Sequence, residues 1–186
     1  MVSEQVQQII NYLIQVELNS AYLYLAMANY FDRLNLVGMA KWLRAQSEEE
    51  RGHAQFLTRF VLDLGGVVES RAILAQPVDF GTPLQVWQQV LEHERFVTQA
   101  YQQAYRALLQ VGEYQALGIV QEILQEQIDE IAQPLQIVGR LGLVQASPAG
   151  ILLMDRELAE QANGEDEAAL SLGGGGGPAS GERNLP

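Results

Sequence analysis

The sequence contains no cysteine, which excludes a disulfide framework and thiolate ligation of zinc or of an iron–sulfur cluster. Any bound metal must therefore be held by oxygen and nitrogen ligands. Basic residues are also scarce: 11 lysines and arginines stand against 23 aspartates and glutamates, which gives a net charge of −12. This acidity argues against nucleic acid as a partner, because its phosphates would be repelled, and it favours cations or simple solubility.

Long apolar runs and targeting patterns are missing as well. No apolar run approaches the ~18 to 20 residues that a membrane-spanning helix needs, and the start, MVSEQVQQII, lacks the basic and then apolar pattern of a signal peptide. We therefore expect a soluble cytoplasmic protein with no membrane partner. With 186 residues, 48% of them hydrophobic and 18% charged, the chain is long enough for one well-packed helical domain.

Capping residues and glycines mark the boundaries of two long helices in the first third of the chain. Ser3 can cap a first helix that runs to about Asp32. Residues 32–38 supply a short turn into a second helix, which ends at Gly65 and Gly66. A connection this short makes the two helices antiparallel neighbours.

The third helix has the best-defined start, because Thr82, Pro83 and Gln85 combine an N-cap, a proline at the first helical position and a capping-box partner. Gly112 ends this helix. A fourth helix is predicted over about residues 113–139. Ser147 and Pro148 then open a short fifth helix, which runs to about residue 161.

Residues 65–81 are too many for a tight turn and too apolar for a free linker, so we expect a crossover that lies along the bundle. The predicted fold is all-α: a four-helix bundle made of two hairpins joined by one long crossover, with a short fifth helix. Residues 1–162 would form this domain. Residues 163–186 are rich in glycine and acidic residues, and we predict that they are disordered.

Each of the four long segments carries polar residues near the middle of its apolar stripe. Burying one unpaired carboxylate costs several kcal/mol, so several polar groups at one level of a core require a compensating cation. A pair of metal ions would supply that charge. The interruptions are Glu17 in the first segment, Glu50 and His53 in the second, Glu94 in the third and Gln127 in the fourth.

Glu50 and His53 lie three residues apart on one helix face, a spacing that suits a shared metal ion. Glu17 and Glu94 occupy equivalent positions on two other helices. In the resulting hypothesis Glu50 bridges two metals, of which one is held by Glu17 and His53 and the other by Glu94. Gln127 would complete the second position through its carbonyl or a water. Carboxylates with one imidazole favour iron, manganese or zinc.

The residues around this centre allow more than one interpretation. Glu48 is expected to face solvent, whereas Glu49 could join Glu126 and Glu130 in an acidic group or form a solvated edge with them. Tyr24 lies seven residues after Glu17 and is either a core tyrosine bonded to a carboxylate or an electron donor to the metals. His93 is expected at the surface.

On the residues Glu17, Tyr24, Glu50, His53, Glu94 and Gln127, the chain resembles the bacterial non-haem ferritins over residues 1 to about 162. The resemblance implies a shell of 24 subunits that oxidises Fe(II) with dioxygen or peroxide at a di-iron ferroxidase centre and stores a ferric mineral. It implies catalytic roles for Tyr24, Glu50 and His53, with Tyr24 as a one-electron donor. It also implies a third iron site formed by Glu49, Glu126 and Glu130, and a fifth helix that lines the four-fold axis.

The haem-binding bacterioferritins and the rubrerythrin-like proteins carry a second Glu-x-x-His on the fourth helix, which residues 126–130 lack here. Arg51 and Gly52 follow Glu50 where bacterioferritins place a methionine, so we expect no haem. Two residues depart from the ferritin pattern. Glu122 stands where an aromatic residue is common, and Pro134 predicts a kink in the fourth helix.

Two other functions remain open at this stage. The first is a small rubrerythrin-like di-iron oxidase or peroxidase that stores no mineral. The second is a metal-free helical interaction protein whose polar residues set the register of its helices.

Overall fold

The computed structural model describes residues 3–144 and 147–173, with side chains described up to residue 162. Over these residues the fold is all-α, as predicted, and no strand is present. The helices are α1 (Glu4–Arg33), α2 (Val37–Asp63), α3 (Pro83–Val111), α4 (Tyr114–Val144) and α5 (Pro148–Gly173).

The caps that the sequence predicts are present at the ends of α1 and α3. The Ser3 hydroxyl accepts a hydrogen bond from Val6 N at 3.3 Å. At the start of α3, Thr82 and Gln85 form the reciprocal capping box. Gly112 ends α3 in the left-handed conformation, with φ of 79°, which glycine adopts without steric cost.

The last two helices are longer than expected. α4 continues past residue 139 to Val144, and α5 continues past residue 161 to Gly173. The disorder expected from residue 163 stays a prediction. A glycine inside a helix lowers its stability by only about 1 kcal/mol, and residues 165–170 are glutamates, an aspartate, alanines and a leucine, most of which favour helix. Residues 174–186 of the predicted tail lie outside the described residues.

α4 is continuous through Pro134, which is buried inside the helix. The bend predicted there remains a prediction, as does the domain boundary at residue 162.

The helices pair as two hairpins, α1 with α2 and α3 with α4, and α1 also packs against α3. The core consists of two apolar clusters, one on each side of a layer of buried polar residues. The first cluster includes Met27, Phe31, Met39, Trp42, Trp87, Ile137 and Met154. The second includes Ile10, Leu13, Leu57, Val97, Leu108 and Val120. The polar layer contains Glu17, Ser20, Glu50, Glu94, Gln127 and Glu130.

None of the helices in residues 3–144 and 147–173 combines the length and the hydropathy that crossing a bilayer requires.

The crossover between α2 and α3 lies along α1, as predicted. Buried Asn11 holds it at one end: its Nδ2 donates to Val67 O and its Oδ1 accepts from Glu69 N, both at 2.8 Å. At the other end, the Tyr30 hydroxyl donates to Gly81 O at 2.6 Å. These bonds satisfy backbone groups of an irregular segment that has no ladder of its own.

The start of α2 is in direct contact with the backbone of α5. Asp155 Oδ1 accepts from Met39 N at 2.8 Å, so α5 supplies the side-chain acceptor that Leu36, the N-cap residue of α2, lacks. A Cβ atom on Gly38 would overlap the carbonyl oxygen of Asp155. Gly38 is therefore needed for close packing rather than for a turn.

Gly38→Ala is expected to displace α5 or to strain α2, and to lower the free energy of unfolding by about 1–3 kcal/mol. Gly118→Ala is the matched control, because a Cβ at this helical position would meet open space; it should be neutral or stabilising by up to about 1 kcal/mol. Chemical denaturation of both variants measures the difference. Equal stabilities would contradict the close packing of α2 against α5.

Candidate metal centre

Each of the four long helices contributes to the polar layer at mid-length. Glu17 and Glu94 are 0% exposed, and Glu50 and Gln127 are 1% exposed. Burial of these positions follows from their place on the apolar stripes. Three carboxyl groups from three helices therefore meet inside the bundle.

The carboxylates and His53 form two groups that share Glu50. The first contains Glu17, Glu50 and His53, and the second contains Glu50, Glu94 and Glu130. Within each group, one ligand atom of each residue lies within 4.8 Å of the others. Glu50 is therefore in the position that the hypothesis of a bridging residue requires. Glu130 adds a candidate ligand that the spacing of the apolar stripes did not assign to this centre.

A third group contains Glu49, His53 and Glu130. His53 lies between this group and the first: its Nδ1 is 3.2 Å from Glu50 Oε2, and its Nε2 is 3.0 Å from Glu126 Oε2. Glu49 and Glu126 are exposed, as is Glu48. The third group therefore connects the buried carboxylates to solvent on the side of α2 and α4.

When the carboxyl groups of the two inner groups are all ionised, several of their buried oxygens receive no hydrogen bond. They are Glu17 Oε2, Glu50 Oε1 and Glu130 Oε1. An unsatisfied buried acceptor costs about 1–3 kcal/mol, and more when it is charged, so a helical layer that served only to set register would pair these oxygens. Divalent cations would satisfy all three, and the donor set of carboxylates and one imidazole fits iron.

Known proteins share this fold. The ferritin-like domain family matches residues 7–144. The chain belongs to the ferritin family. It is 34% identical to the bacterial non-heme ferritin of Bacteroides fragilis over 165 residues, which cover 87% of this chain and 100% of that protein. It is 27% identical to the bacterial non-heme ferritin of Staphylococcus aureus over 158 residues, covering 85% and 95%.

Solved ferritin structures superpose on the same region. A ferritin of Archaeoglobus fulgidus engineered to a closed form is 35% identical, with a TM-score of 0.83, and covers 86% of this chain and 97% of that one. The open pore ferritin from the same archaeon is also 35% identical, with a TM-score of 0.83, over 85% and 96%. The ferritin fold thus includes the helices that carry the candidate centre.

Two tyrosines bond to carboxylates of the candidate centre. The Tyr24 hydroxyl donates to Glu94 Oε1, and the Tyr101 hydroxyl donates to Glu17 Oε1. Burial raises the pKa of each phenol well above its usual value, and the adjacent carboxylate raises it further. Both phenols therefore keep their protons and act as donors at neutral pH. Tyr24 is thus the carboxylate-bonded core tyrosine that one interpretation of its position predicts.

Gln127 lies at the centre with its amide nitrogen toward the carboxylates. Its Nε2 donates to Glu130 Oε2 and lies 3.5 Å from Glu94 Oε2. Its Oε1 accepts from the Thr98 hydroxyl at 2.8 Å. An amide NH₂ group donates hydrogen bonds and does not ligate metals, so ligation through the carbonyl requires rotation of the amide and remains a prediction.

His93 is not the surface residue that the sequence predicts, because it is partly buried against α1. The Ser20 hydroxyl donates to Val16 O at 3.0 Å, so its oxygen accepts from His93 Nε2 at 2.8 Å. The imidazole also meets the Tyr24 ring edge to face, with centroids 5.6 Å apart. Burial lowers the pKa of His93 to about 4, which keeps it neutral at physiological pH.

Burial raises the pKa of each inner carboxyl group above its usual value. For Glu17 the Glu50 carboxylate adds to this effect. For Glu130, burial and then the Glu94 and Glu49 carboxylates raise the pKa to about 9. In the absence of metal, the centre therefore retains protons at neutral pH, and a bound cation would displace them.

Sequence reasoning missed the roles of Tyr101, Thr98 and Ser20, and the burial of Glu130. Tyr101 could have been found, because it follows Glu94 by seven residues as Tyr24 follows Glu17. The bonds of Thr98 and Ser20 depend on the relative rotation of neighbouring helices, which no sequence spacing records.

The metal-free protein should become less stable as the pH rises. The pKa of the Glu130 carboxyl is about 9 in the folded state and about 4.3 when the chain is unfolded. The folded state therefore binds this proton more tightly, and the resulting contribution to the free energy of unfolding is lost as the pH rises between these two values. We expect the melting temperature of the apoprotein to fall by at least about 2–4 °C from pH 6 to pH 9.

Glu130→Gln, which is neutral at every pH, should reduce this dependence, whereas Glu122→Gln at an exposed position should retain it. Thermal unfolding in the presence of a chelator provides the measurement. A melting temperature that rises over this range would contradict the assignment of protonated carboxyl groups to the centre.

Proposed function

We propose that the protein is an iron-storage ferroxidase that oxidises Fe(II) with dioxygen and retains Fe(III) as a mineral inside a shell of 24 copies. The observation that carries this proposal is the pair of buried ligand groups that share Glu50 and contain three carboxylate oxygens without partners. Membership of the ferritin family supports it. The relatives in Bacteroides fragilis and Staphylococcus aureus are named non-heme ferritins.

Iron is the substrate in this proposal. Glu17, Glu50 and His53 would hold one Fe(II), and Glu50, Glu94 and Glu130 would hold the other. Each Fe(II) gives up one electron, so one pair reduces dioxygen to hydrogen peroxide and two pairs reduce it to water. A shared carboxylate fixes the two ions close together, which suits delivery of two electrons to one oxygen molecule.

Tyr24 is positioned to supply a further electron, because its hydroxyl contacts Glu94, a ligand of the second position. Loss of an electron from a buried phenol requires that its proton move to a nearby acceptor, and Glu94 Oε1 is such an acceptor. We therefore propose Tyr24, with Glu50 and His53, as a catalytic residue of this centre. No haem takes part in the proposed reaction.

The third group gives iron a route between the centre and solvent. Exposed Glu49 and Glu126 lie on the outer side of His53, and Glu130 belongs to both the second and the third group. Carboxylate oxygens suit iron ions, and the exposure of Glu49 and Glu126 lets ions exchange with solvent. We propose Glu49, Glu126 and Glu130 as ligands of this transit site.

Storage requires an enclosed space, which one bundle cannot provide. Large apolar side chains are exposed on α1 and on the crossover; they include Tyr22 at 44%, Leu74 at 73% and Val78 at 79%. Tyr22 and Val78 line the same surface cavity. Such neighbouring apolar residues favour contact with further copies of the chain. A soluble, cytoplasmic 24-mer is the assembly that the proposal requires.

Stepwise addition of Fe(II) in air to the apoprotein tests storage directly. We expect soluble, protein-bound iron to rise to tens of ions per chain or more, because a shell sequesters the mineral from precipitation. Iron that reaches a plateau at about two or three ions per chain would instead favour a small di-iron oxidase without storage. Complete precipitation of the added iron would contradict both functions.

Glu50→Ala should slow the initial oxidation of Fe(II) by at least about tenfold, because both metal positions lose a ligand. Glu130→Ala should have a smaller effect, since it alters the second position and leaves the first intact. Glu122→Ala removes an exposed carboxylate from the same face of α4 as Glu126 and serves as the charge-matched control. The absorbance of the ferric product gives the rates, and equal rates in all three variants would exclude the shared role of Glu50.

A further inference from the structure

Two equivalent hydrogen bonds join α1 and α3. Tyr24 of α1 donates to Glu94 of α3, and Tyr101 of α3 donates to Glu17 of α1. On α1 a glutamate is followed seven residues later by a tyrosine, and α3 has the same spacing. Each tyrosine donates to the glutamate of the other helix. Because α1 and α3 run antiparallel, the two pairs lie at the two edges of the polar layer. Each inner group therefore has its own tyrosine.

The hydrogen bond from Tyr101 makes the two carboxylate oxygens of Glu17 different. Oε1 accepts from the phenol, whereas Oε2 is buried and receives no hydrogen bond. Glu17 belongs to the group with Glu50 and His53, and Oε2 is its oxygen that is left for a metal. Both Glu17 and Tyr101 are 0% exposed, so no water competes for either oxygen. A carboxylate held in this way offers one oxygen to a metal rather than two.

We propose that Tyr101 is a positioning residue for the first metal position, where it holds Glu17 in an orientation that presents Oε2 alone to the metal. The inference rests on the proposed metal centre but not on ferroxidase turnover. Without the phenol, a metal bound to Oε2 would leave Oε1 charged, buried and unpaired. The remaining freedom of the carboxylate would also permit binding through both oxygens.

Packing of the side chain does not explain why residue 101 carries a hydroxyl group. The ring of Tyr101 packs in the second apolar cluster with Val97, Ala104 and Leu108, and phenylalanine would fill that space equally well. Among the described residues, the hydrogen bond that the hydroxyl makes is to Glu17, at the boundary between the cluster and the polar layer. Its effect should therefore be on the carboxylate rather than on packing.

Anaerobic titration of the assembled apoprotein with Co(II) tests this role, because Co(II) occupies carboxylate–imidazole sites without oxidation and reports its coordination by its visible absorption. The step that Glu17→Ala abolishes identifies the first position. We expect Tyr101→Phe to weaken this step by about tenfold, the effect of one hydrogen bond to a charged group. We also expect it to change the visible spectrum toward a higher coordination number.

Two tyrosine variants serve as controls. Tyr24→Phe should alter the other binding step, and Tyr105→Phe, one turn along α3 beside the second apolar cluster, should alter neither. In the Glu17→Ala background Tyr101→Phe should have no further effect on Co(II) binding, since it acts through Glu17. A first step in Tyr101→Phe that is unchanged within twofold, with an unchanged spectrum, would overturn the proposal.

A second measurement does not depend on the folding of Tyr101→Phe. Binding of Zn(II) to Tyr24→Phe should perturb the near-ultraviolet absorption of a tyrosine, because Tyr101 then contacts the bound carboxylate. No perturbation on saturation would refute the contact. If the unmodified protein binds neither Co(II) nor Zn(II), the proposed metal centre itself fails, together with this inference.

Discussion

The mutual repulsion of carboxyl groups buried in one layer is the constraint on which the rest of this structure depends. Glu17, Glu50, Glu94 and Glu130 lie within the bundle, where water cannot screen them. Burial and neighbouring carboxylates raise their pKa values, so the metal-free centre responds to this repulsion by retaining protons. Divalent cations would remove the repulsion in a different way: they would displace the protons, and their positive charge would neutralise the carboxylates. An apolar layer would be more stable, and the metal binding that we propose accounts for the cost of this one.

The fold limits this cost by confining the polar residues to one level. An apolar cluster lies on each side of the layer, so hydrophobic burial on both sides offsets the unfavourable burial of charge. Hydrogen bonds from Tyr24, Tyr101 and Gln127 satisfy some carboxylate oxygens and leave others for metals. The result is a centre in which one ligand atom of each residue lies within 4.8 Å of the others in its group. Ligand directions are thereby fixed before any ion binds.

The segments outside the four-helix core hold the helices in register. The crossover is bonded to α1 through Asn11 and Tyr30, which fixes the path from one hairpin to the other. α5 contacts the start of α2 through Asp155 and the small residue Gly38. Since the two inner groups combine residues of all four long helices, a shift of one helix by a single turn, about 5.4 Å, would separate the ligands. Packing far from the centre therefore matters to its chemistry.

The sequence by itself determined the helical segments, the two hairpins and the crossover, because caps, glycines and the spacing of apolar residues are local signals. It also determined that Glu17, Glu50, Glu94 and Gln127 are buried, since each interrupts an apolar stripe. Only the tertiary structure decided that Glu130 joins the inner group, that His93 packs against Tyr24 and that Tyr101 bonds to Glu17. These contacts depend on the rotation and register of neighbouring helices, which side-chain packing sets over the whole bundle.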